Sequence, residues 1–372
     1  MRPASAPRSR ADEERLLVID PLADRFGDYR ISELPEFLLR GDALVLNDAA
    51  TLPASLRAGP EHELRLMSEL DDGTWLALSL GSGDHRMPTE ARGAPPVLAV
   101  GAELSFGHGL TARVRAVDPG SPRLLYIEFR QRGGELWQAL YRAASPIQYA
   151  YLRAPLELWD VQNAYAARPW AVELPSAGKP LRFETLFRIA ARGVRLVAVT
   201  HAAGLSSTGD AGLDARLPVA ERYELGEESA ARLRAAQAQG GRIVAVGTSV
   251  TRALEAASVS GTLRAGVRRT DLLLGAGSVL RTCAGLLTGL HEPGTSHFAL
   301  LEAYASRALL ERSLRHARRR GYLQHEFGDS CLILGGSLDV TNASDATDAT
   351  DATNATNATN ARLLSSEWRQ AG

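Results

Sequence analysis

Apolar positions change period three times along the chain. Between residues 16 and 56 short apolar runs alternate with helix-like text. Leu16-Leu17-Val18-Ile19-Asp20 predicts a buried strand, 31–39 a short helix, and Ala43-Leu44-Val45-Leu46-Asn47-Asp48 a second strand. From about 63 to 130 the period becomes that of β structure. Segments 63–70 and 74–80 flank Asp71-Asp72-Gly73, a hairpin signal, and 110–117 and 124–130 continue the pattern. Short strands without helices to cover them predict a small inserted β-barrel.

From Arg195 onward strands alternate with helices. The runs Leu196-Val197-Ala198-Val199-Thr200, Ile243-Val244-Ala245-Val246-Gly247, Leu272-Leu273-Leu274 and Cys331-Leu332-Ile333-Leu334 are continuously apolar, as in a sheet covered on both faces. Segments 227–239 and 297–320 have helical period. The fold class expected is α/β: a mostly parallel sheet in a discontinuous main domain of 1–62 and 152–336, with a β-barrel domain at 63–151. Residues 337–372 form a low-complexity tail whose Thr/Ser-Asn/Asp-Ala triplets offer nothing large to bury, so disorder is expected there.

One stretch carries chemistry on its face. Leu286-Leu287-Thr288-Gly289-Leu290-His291-Glu292-Pro293-Gly294-Thr295-Ser296 runs from apolar residues to a lone histidine, a Pro-Gly turn and two hydroxyls. A buried element thus delivers a titratable group to a place where a helix begins. His201, just after the strand ending at Thr200, has a similar setting, where α/β proteins bind ligands. Val246-Gly247-Thr248-Ser249-Val250 is a strand running into a helix; its N–H groups suit an anion, although capping by Thr248 or Ser249 is the commoner use. Arg252 and Glu255 on that helix read most simply as a surface ion pair.

Other signatures exclude. Gly275-Ala276-Gly277-Ser278-Val279-Leu280 lacks the third glycine of a dinucleotide fingerprint, and no GxxxxGK[ST] run exists. His291, His297, His316 and His325 do not have zincin spacing, so no metal site is expected. The two cysteines, Cys283 and Cys331, lie in apolar runs and predict neither a disulfide framework nor a zinc site. A net charge of −1 argues against binding nucleic acid by bulk charge, so an RNA partner needs a local patch. Arg312, Arg315, His316 and Arg319 share one helical face and are a candidate phosphate rail, against the plainer reading of a solvated face. No signal peptide is visible at the N-terminus and no run approaches the roughly 18 apolar residues of a membrane span; a soluble, cytoplasmic protein is expected.

Taken in order, these segments resemble the S-adenosylmethionine:tRNA ribosyltransferase-isomerase family of queuosine biosynthesis, over about 15–334. Arg15-Leu16-Leu17-Val18-Ile19-Asp20 looks like its opening strand, followed by Leu34-Pro35, Gly41-Asp42, Val45-Leu46-Asn47-Asp48 and Pro53-Ala54. Gln162, Tyr165 and Ala166, then Pro175-Ser176-Ala177-Gly178, then His201, Glu221 and Tyr223, match later blocks. Val246-Gly247-Thr248 with Arg252 and Leu254-Glu255, Leu286-Leu287-Thr288 with His291 and Pro293, and Gly328-Asp329 complete the series.

The departures cluster in loops. Where the family has Thr-Arg and Pro-Ala-Arg, this chain has Ala49-Ala50 and Pro53-Ala54-Ser55. Its Pro-Thr-Ala-Gly-Leu-His-Phe becomes Pro175-Ser176-Ala177-Gly178-Lys179-Pro180-Leu181-Arg182-Phe183. Ser206-Ser207-Thr208 replaces a Gly-Thr-Phe, and the histidine before Glu221 is lost. Gly289 stands for the family's asparagine, Pro293-Gly294-Thr295-Ser296 for Pro-Lys-Ser-Thr, and Tyr322-Leu323-Gln324-His325-Glu326-Phe327 for Tyr-Arg-Phe-Phe-Ser-Tyr.

The resemblance implies transfer and isomerisation of the ribosyl part of S-adenosylmethionine onto 7-aminomethyl-7-deazaguanine in tRNA, giving epoxyqueuosine, adenine and methionine. S-adenosylmethionine is then the ribosyl donor, tRNA the partner, and no metal is needed. It makes His201 and His291 acid/base candidates, Glu221 and Asp329 carboxylates facing the sulfonium or an ammonium, and Asn47, Asp48, Ser176, Gly178, Thr248 and Arg252 substrate contacts. Arg312, Arg315 and Arg319 would hold RNA phosphates. The departures leave two alternatives: a paralogue using S-adenosylmethionine on another substrate, and a non-catalytic relative that binds RNA or a ligand.

Overall fold

The computed structural model describes residues 1–8, 13–259 and 261–337; the Thr/Ser-Asn/Asp-Ala repeat, expected to be disordered, lies outside them. Nine strands form the main sheet: Arg15–Asp20 (β1), Arg25–Arg30 (β2), Ala43–Asn47 (β3), Arg195–His201 (β4), Glu221–Leu225 (β5), Ile243–Val246 (β6), Gly266–Thr270 (β7), Gly285–Gly289 (β8) and Ser330–Leu334 (β9). Their spatial order is β7-β5-β4-β3-β6-β8-β9-β1-β2.

The sheet is mixed, which corrects the expectation of a mostly parallel one. β4, β3, β6 and β8 run parallel at the centre, and β1 is parallel to β9. The β8–β9, β1–β2, β4–β5 and β5–β7 pairs are antiparallel. Leu272-Leu273-Leu274 is not a strand: it lies in a connection, with Leu273 67% exposed. The last two strand partners are instead 266–270 and 285–289, on either side of it.

Alternation within the apolar runs divides the sheet's two faces. Leu17, Ile19, Val45, Val197, Ala245 and Leu286 point to a face covered by helices Glu227–Ala238, Thr248–Ala257 and Arg307–Arg319. Leu16, Val18, Leu44, Leu46, Val244 and Leu287 point to the other, covered by the 3-10 turn Ile31–Phe37 and helix Phe183–Ala191. The long helix expected over 297–320 is two, Ser296–Leu301 and Arg307–Arg319. Each opens on a hydroxyl cap: Thr295 accepts from Phe298 N–H, and Ser306 from Leu309 N–H.

The β-rich middle forms a second, six-stranded antiparallel sheet, ordered Ser55–Arg57, Glu63–Glu69, Trp75–Leu80, Ser121–Phe129, Thr111–Asp118, Glu103–Ser105. It curls as a half-barrel around its own core, with bulges between Leu66 and Ser68 and between Val114 and Ala116. Among the described residues its two edge strands do not pair, so the expected closed barrel is open. The sheet also begins at Ser55, upstream of the expected boundary at 63. Val172, Leu205 and Leu213, from outside the insertion, complete its core.

The edge of the main sheet that carries the amino ends of β3, β4 and β6 is held by one carboxylate. Buried Asp42 accepts Leu39 N–H at 2.8 Å, Arg242 N–H at 2.9 Å and Arg242 Nη2 at 2.7 Å. Removing it strands a half-buried guanidinium, so Asp42→Ala is expected to cost about 3–5 kcal/mol in urea unfolding. A loss below about 1 kcal/mol would contradict this assignment.

Candidate active site

The opposite edge gathers the candidate residues. There β3, β4, β6 and β8 end, while β9 and β1 begin. Asn47, His201, Thr248, His291, Asp329 and Glu14 are therefore delivered to one side by strand direction alone.

Asn47 works on the backbone. Its Nδ2 donates to His201 O at 3.0 Å, and its Oδ1 accepts from His201 N–H at 2.9 Å and Ala49 N–H at 3.1 Å. Asp48 accepts from Thr200 Oγ1 at 2.5 Å, and burial raises its carboxyl. Both residues thus fix the end of β4 instead of projecting into open space.

His201 is wholly buried, its Nε2 3.5 Å from Glu221 Oε2. Burial, then the charge of Arg252, drives its imidazole well below the usual value, so it is neutral. Enclosed in this way it backs Glu221, and it is the last residue of β4, not the one after it. Glu221 Oε2 meets Arg252 Nη2 at 2.5 Å, and its Oε1 accepts Gly204 N–H at 2.7 Å. Burial raises Glu221 against the pull of Arg252. The expected Arg252–Glu255 pair does not form: Glu255 accepts the N–H groups of Arg281, Thr282 and Cys283 at 2.8, 3.0 and 2.9 Å.

Gly247, at φ +96°, caps helix Thr248–Ala257 and brings no capping side chain. Thr248 and Ser249 are therefore the first residues of the helix and not its caps. The N–H groups of its first turn and Arg252 lie on one short helix.

His291 accepts or donates with Thr288 Oγ1 at 2.8 Å and stacks on His297, ring centres 4.9 Å apart. Burial and the nearby His297 and His325 push His291 well below the usual imidazole value. Burial and Arg252 push His297 down to about 4. His297 carries no sequence signal that would select it for this site. It stacks on His291 and feels the charge of Arg252, which is itself paired with Glu221, so Glu221, Arg252, His297 and His291 form one neighbourhood.

A cleft of about 520 Å³, open to solvent, adjoins the start of β9, with Ser176, Lys179, Gly289, His325, Glu326 and Glu14 among its walls. A Cβ on Gly178 would lie 1.9 Å from the Tyr165 hydroxyl, so this turn packs too closely for any side chain. A Cβ on Gly289 would meet nothing within 4 Å. Glu14, which carries no signal in the sequence, is buried and accepts from Ser330 Oγ at 2.5 Å; burial pushes its carboxyl up to about 8.

Asp329 is committed to structure. It accepts Arg8 Nη2 at 2.8 Å, Arg15 N–H at 2.9 Å, Arg15 Nη2 at 3.1 Å and Leu323 N–H at 2.7 Å. These bonds occupy both oxygens, so it fastens the start of β1 from within the cleft wall. The basic stripe is likewise divided. Arg312 binds Asp24 Oδ2 at 2.8 Å and His316 binds Asp28 Oδ2 at 2.8 Å, docking the helix on the β1–β2 hairpin. Arg315 is 3.8 Å from Glu311, and Arg315, Arg318 and Arg319 are exposed. Among the described residues there is no group of three or more His, Cys, Asp or Glu arranged to hold a metal, and no helix long and apolar enough to cross a membrane.

Known proteins resemble this chain over most of its length. A protein named S-adenosylmethionine:tRNA ribosyltransferase-isomerase from Anaeromyxobacter dehalogenans is 35% identical over 345 residues, covering 89% of this chain and 95% of its own. One of the same name from Thermosynechococcus vestitus is 35% identical, covering 90% and 92%. The crystal structure of an S-adenosylmethionine tRNA ribosyltransferase from Thermotoga maritima, 24% identical, superposes with a TM-score of 0.50 over 89% of this chain and 96% of that one, a likeness of fold. The family model described as queuosine biosynthesis protein matches residues 2–333, and the chain belongs to that family.

Proposed function

We propose that this protein transfers and isomerises the ribosyl moiety of S-adenosylmethionine onto 7-aminomethyl-7-deazaguanine in tRNA, giving epoxyqueuosine and releasing adenine and methionine. The neighbourhood of Glu221, Arg252, His297 and His291 at the carboxyl edge of the parallel strands supports this reading best. A sulfonium acidifies its neighbouring C–H bonds and makes sulfur a good leaving group, so the protein's task is placement and proton transfer. His291, held neutral, is a proton acceptor at physiological pH. Arg252 and the first turn of its helix suit the substrate carboxylate, while Glu221 and His201 aim the guanidinium. Exposed Arg315, Arg318 and Arg319 are the phosphate contacts, with Arg312 and His316 spent on the hairpin.

A second reading, a paralogue that keeps S-adenosylmethionine but changes the acceptor, is favoured by Gly289. Space stands open where the family carries asparagine. Mass analysis of tRNA bearing the aminomethyl base, after incubation with the protein and S-adenosylmethionine, decides between them. The epoxycyclopentanediol adduct with released adenine supports the first; adenine release without modified tRNA supports the second.

His291→Ala is expected to lower kcat about 10²–10⁴-fold. Arg252→Ala should raise KM for S-adenosylmethionine about 10- to 100-fold; full turnover in both variants would sink the assignment. Because burial lowers both imidazoles, kcat/KM should show no His291-dependent inflection between pH 6 and 7, the acid limb falling near the value of about 4 for His297. An inflection near pH 6.5 that disappears in His291→Ala would contradict this. For RNA, Arg315→Ala and Arg319→Ala should each reduce the slope of log Kd against log salt by about 1, which filter binding across a salt series reads.

A further inference from the structure

Two of the departures from the family pattern, far apart in the chain, meet in space. Ser206 and Ser207 belong to the altered loop after His201, and His325 and Glu326 to the altered segment before β9. Around them stand three rings in a ladder. Tyr149 and Tyr151 stack with centres 6.0 Å apart and planes at 13°, and Tyr151 and His325 with centres 4.4 Å apart and planes at 17°. The outer ring, His325, is exposed and is presented by a left-handed backbone, φ +68°, that an ordinary residue adopts only at a cost. An exposed ring at the end of a stack is a platform for one more ring.

Each tyrosine hydroxyl is tied to a carboxylate. Tyr149 donates to Glu173 and Tyr151 donates to Glu326. Ser206 N–H donates to the other oxygen of Glu173 at 3.1 Å, and Ser206 Oγ lies 3.4 Å from the Tyr149 hydroxyl. Arg65 is 5.5 Å from the Tyr149 ring centre and bound to Glu63 at 2.8 Å, while Arg8, Lys179 and Arg182 line the cleft that His325 and Glu326 also line. Among the described residues neither Glu173 nor Glu326 has a lysine or arginine at ion-pair distance. Burial, and the negative charge of Glu326, push Glu173 up to about 7. Two carboxylates held together without a cation leave a charge for a ligand to neutralise. The site is accessible: Tyr149, Tyr151, Glu173 and Glu326 are half-buried, and His325 and Glu326 form part of the cleft wall with Ser176 and Gly289.

We propose that Tyr149, Tyr151 and His325, with Glu173 and Glu326, form a subsite for a small organic cation carried beside a flat heteroaromatic ring. The ring stacks on His325, and its cation faces the side of the ladder that carries the two carboxylates, with Glu326 the nearer. A sulfonium beside adenine and a primary ammonium beside deazaguanine share this chemistry. The inference rests on the proposed function only in taking those two molecules as probes.

Titration calorimetry on the full chain tests it with two matched pairs. S-adenosylmethionine is compared with S-adenosylhomocysteine, its neutral thioether. The free aminomethyl-deazaguanine is compared with 7-cyano-7-deazaguanine, which lacks the charge. In the unsubstituted protein the cationic member of one pair should bind at least about 10-fold tighter than its neutral partner. Glu326→Gln or Glu173→Gln should reduce that ratio to within about 2-fold while leaving the neutral partner's affinity in place. The pair that responds identifies the cation's source. Tyr151→Phe, which keeps the ring and removes the hydroxyl, should weaken the preference without abolishing stacking. Absence of a charge preference in both pairs, a preference that survives both glutamine variants, or no saturable binding of either cation overturns the subsite. Charge preference without modified tRNA would overturn the functional reading and leave the subsite standing; modified tRNA without charge preference would do the reverse.

Discussion

The amide of Asn47 is the fastener on which the site depends. Main-chain pairing of β3 with β4 ends where Val199 meets Asn47. Beyond that point the Asn47 side chain takes both the N–H and the carbonyl of His201, standing in for a backbone partner. β4 can therefore continue for two more residues and pair with β5 through Thr200–Glu224 and His201–Tyr223. That pairing sets Glu221 against His201, and Glu221 in turn holds Arg252. A buried polar group must find its partners. Here the need of two backbone groups for partners locates three charged or titratable side chains.

How far the sequence foretold this depends on the kind of signal. Apolar runs at residues 16–20, 43–48, 196–200, 243–247 and 331–334 became strands because a two-faced sheet needs continuous hydrophobicity. Strand direction carries no such signature, so the antiparallel flanks were invisible. Leu272-Leu273-Leu274 misleads for the converse reason: a run this short packs as well under a connection as in a sheet. The break between the two C-terminal helices was written locally, in the hydroxyl of Ser306, but the helical period overrode it. For the site, His201, Glu221, Arg252 and His291 were found from strand ends and family blocks. His297, Glu173, Tyr149 and Glu326 were not, since each acquires meaning only from a neighbour distant in sequence. Arg252 and Glu255 show the limit of helical spacing as evidence: each found a stronger partner across the fold.

Several of the changes from the family pattern meet at one cleft. Gly289 opens the cleft, Lys179 and Arg182 line it, and His325 and Glu326 join its wall to the rings of Tyr149 and Tyr151. The Ser206-Ser207-Thr208 loop reaches the same ladder and also ties itself down, with Thr208 N–H and Oγ1 both donating to Asp214 Oδ1 at 2.6 Å. The apolar runs of the main sheet keep the family pattern, while the departures fall in loops and strand ends, several of them around this cleft. A packed core resists substitution because each volume change is felt by its neighbours, whereas loop ends can be exchanged at small cost.

Glu14 makes folding itself a proton-binding event. In the folded chain its carboxyl is pushed up to about 8, whereas the unfolded value is that of an ordinary glutamate near 4.5. Between those pH values the native state holds a proton that the unfolded chain releases. Its contribution to stability is thus complete below pH 4.5 and is lost as pH rises through about 8. The carboxylate that would then form lies against Ser330 and close to Asp329, two negative charges at the joint where β1 meets β9. Mild alkalinity therefore acts on this molecule from inside the cleft wall, by placing a charge where folding has withdrawn most of the water and Arg8 is the cation at hand.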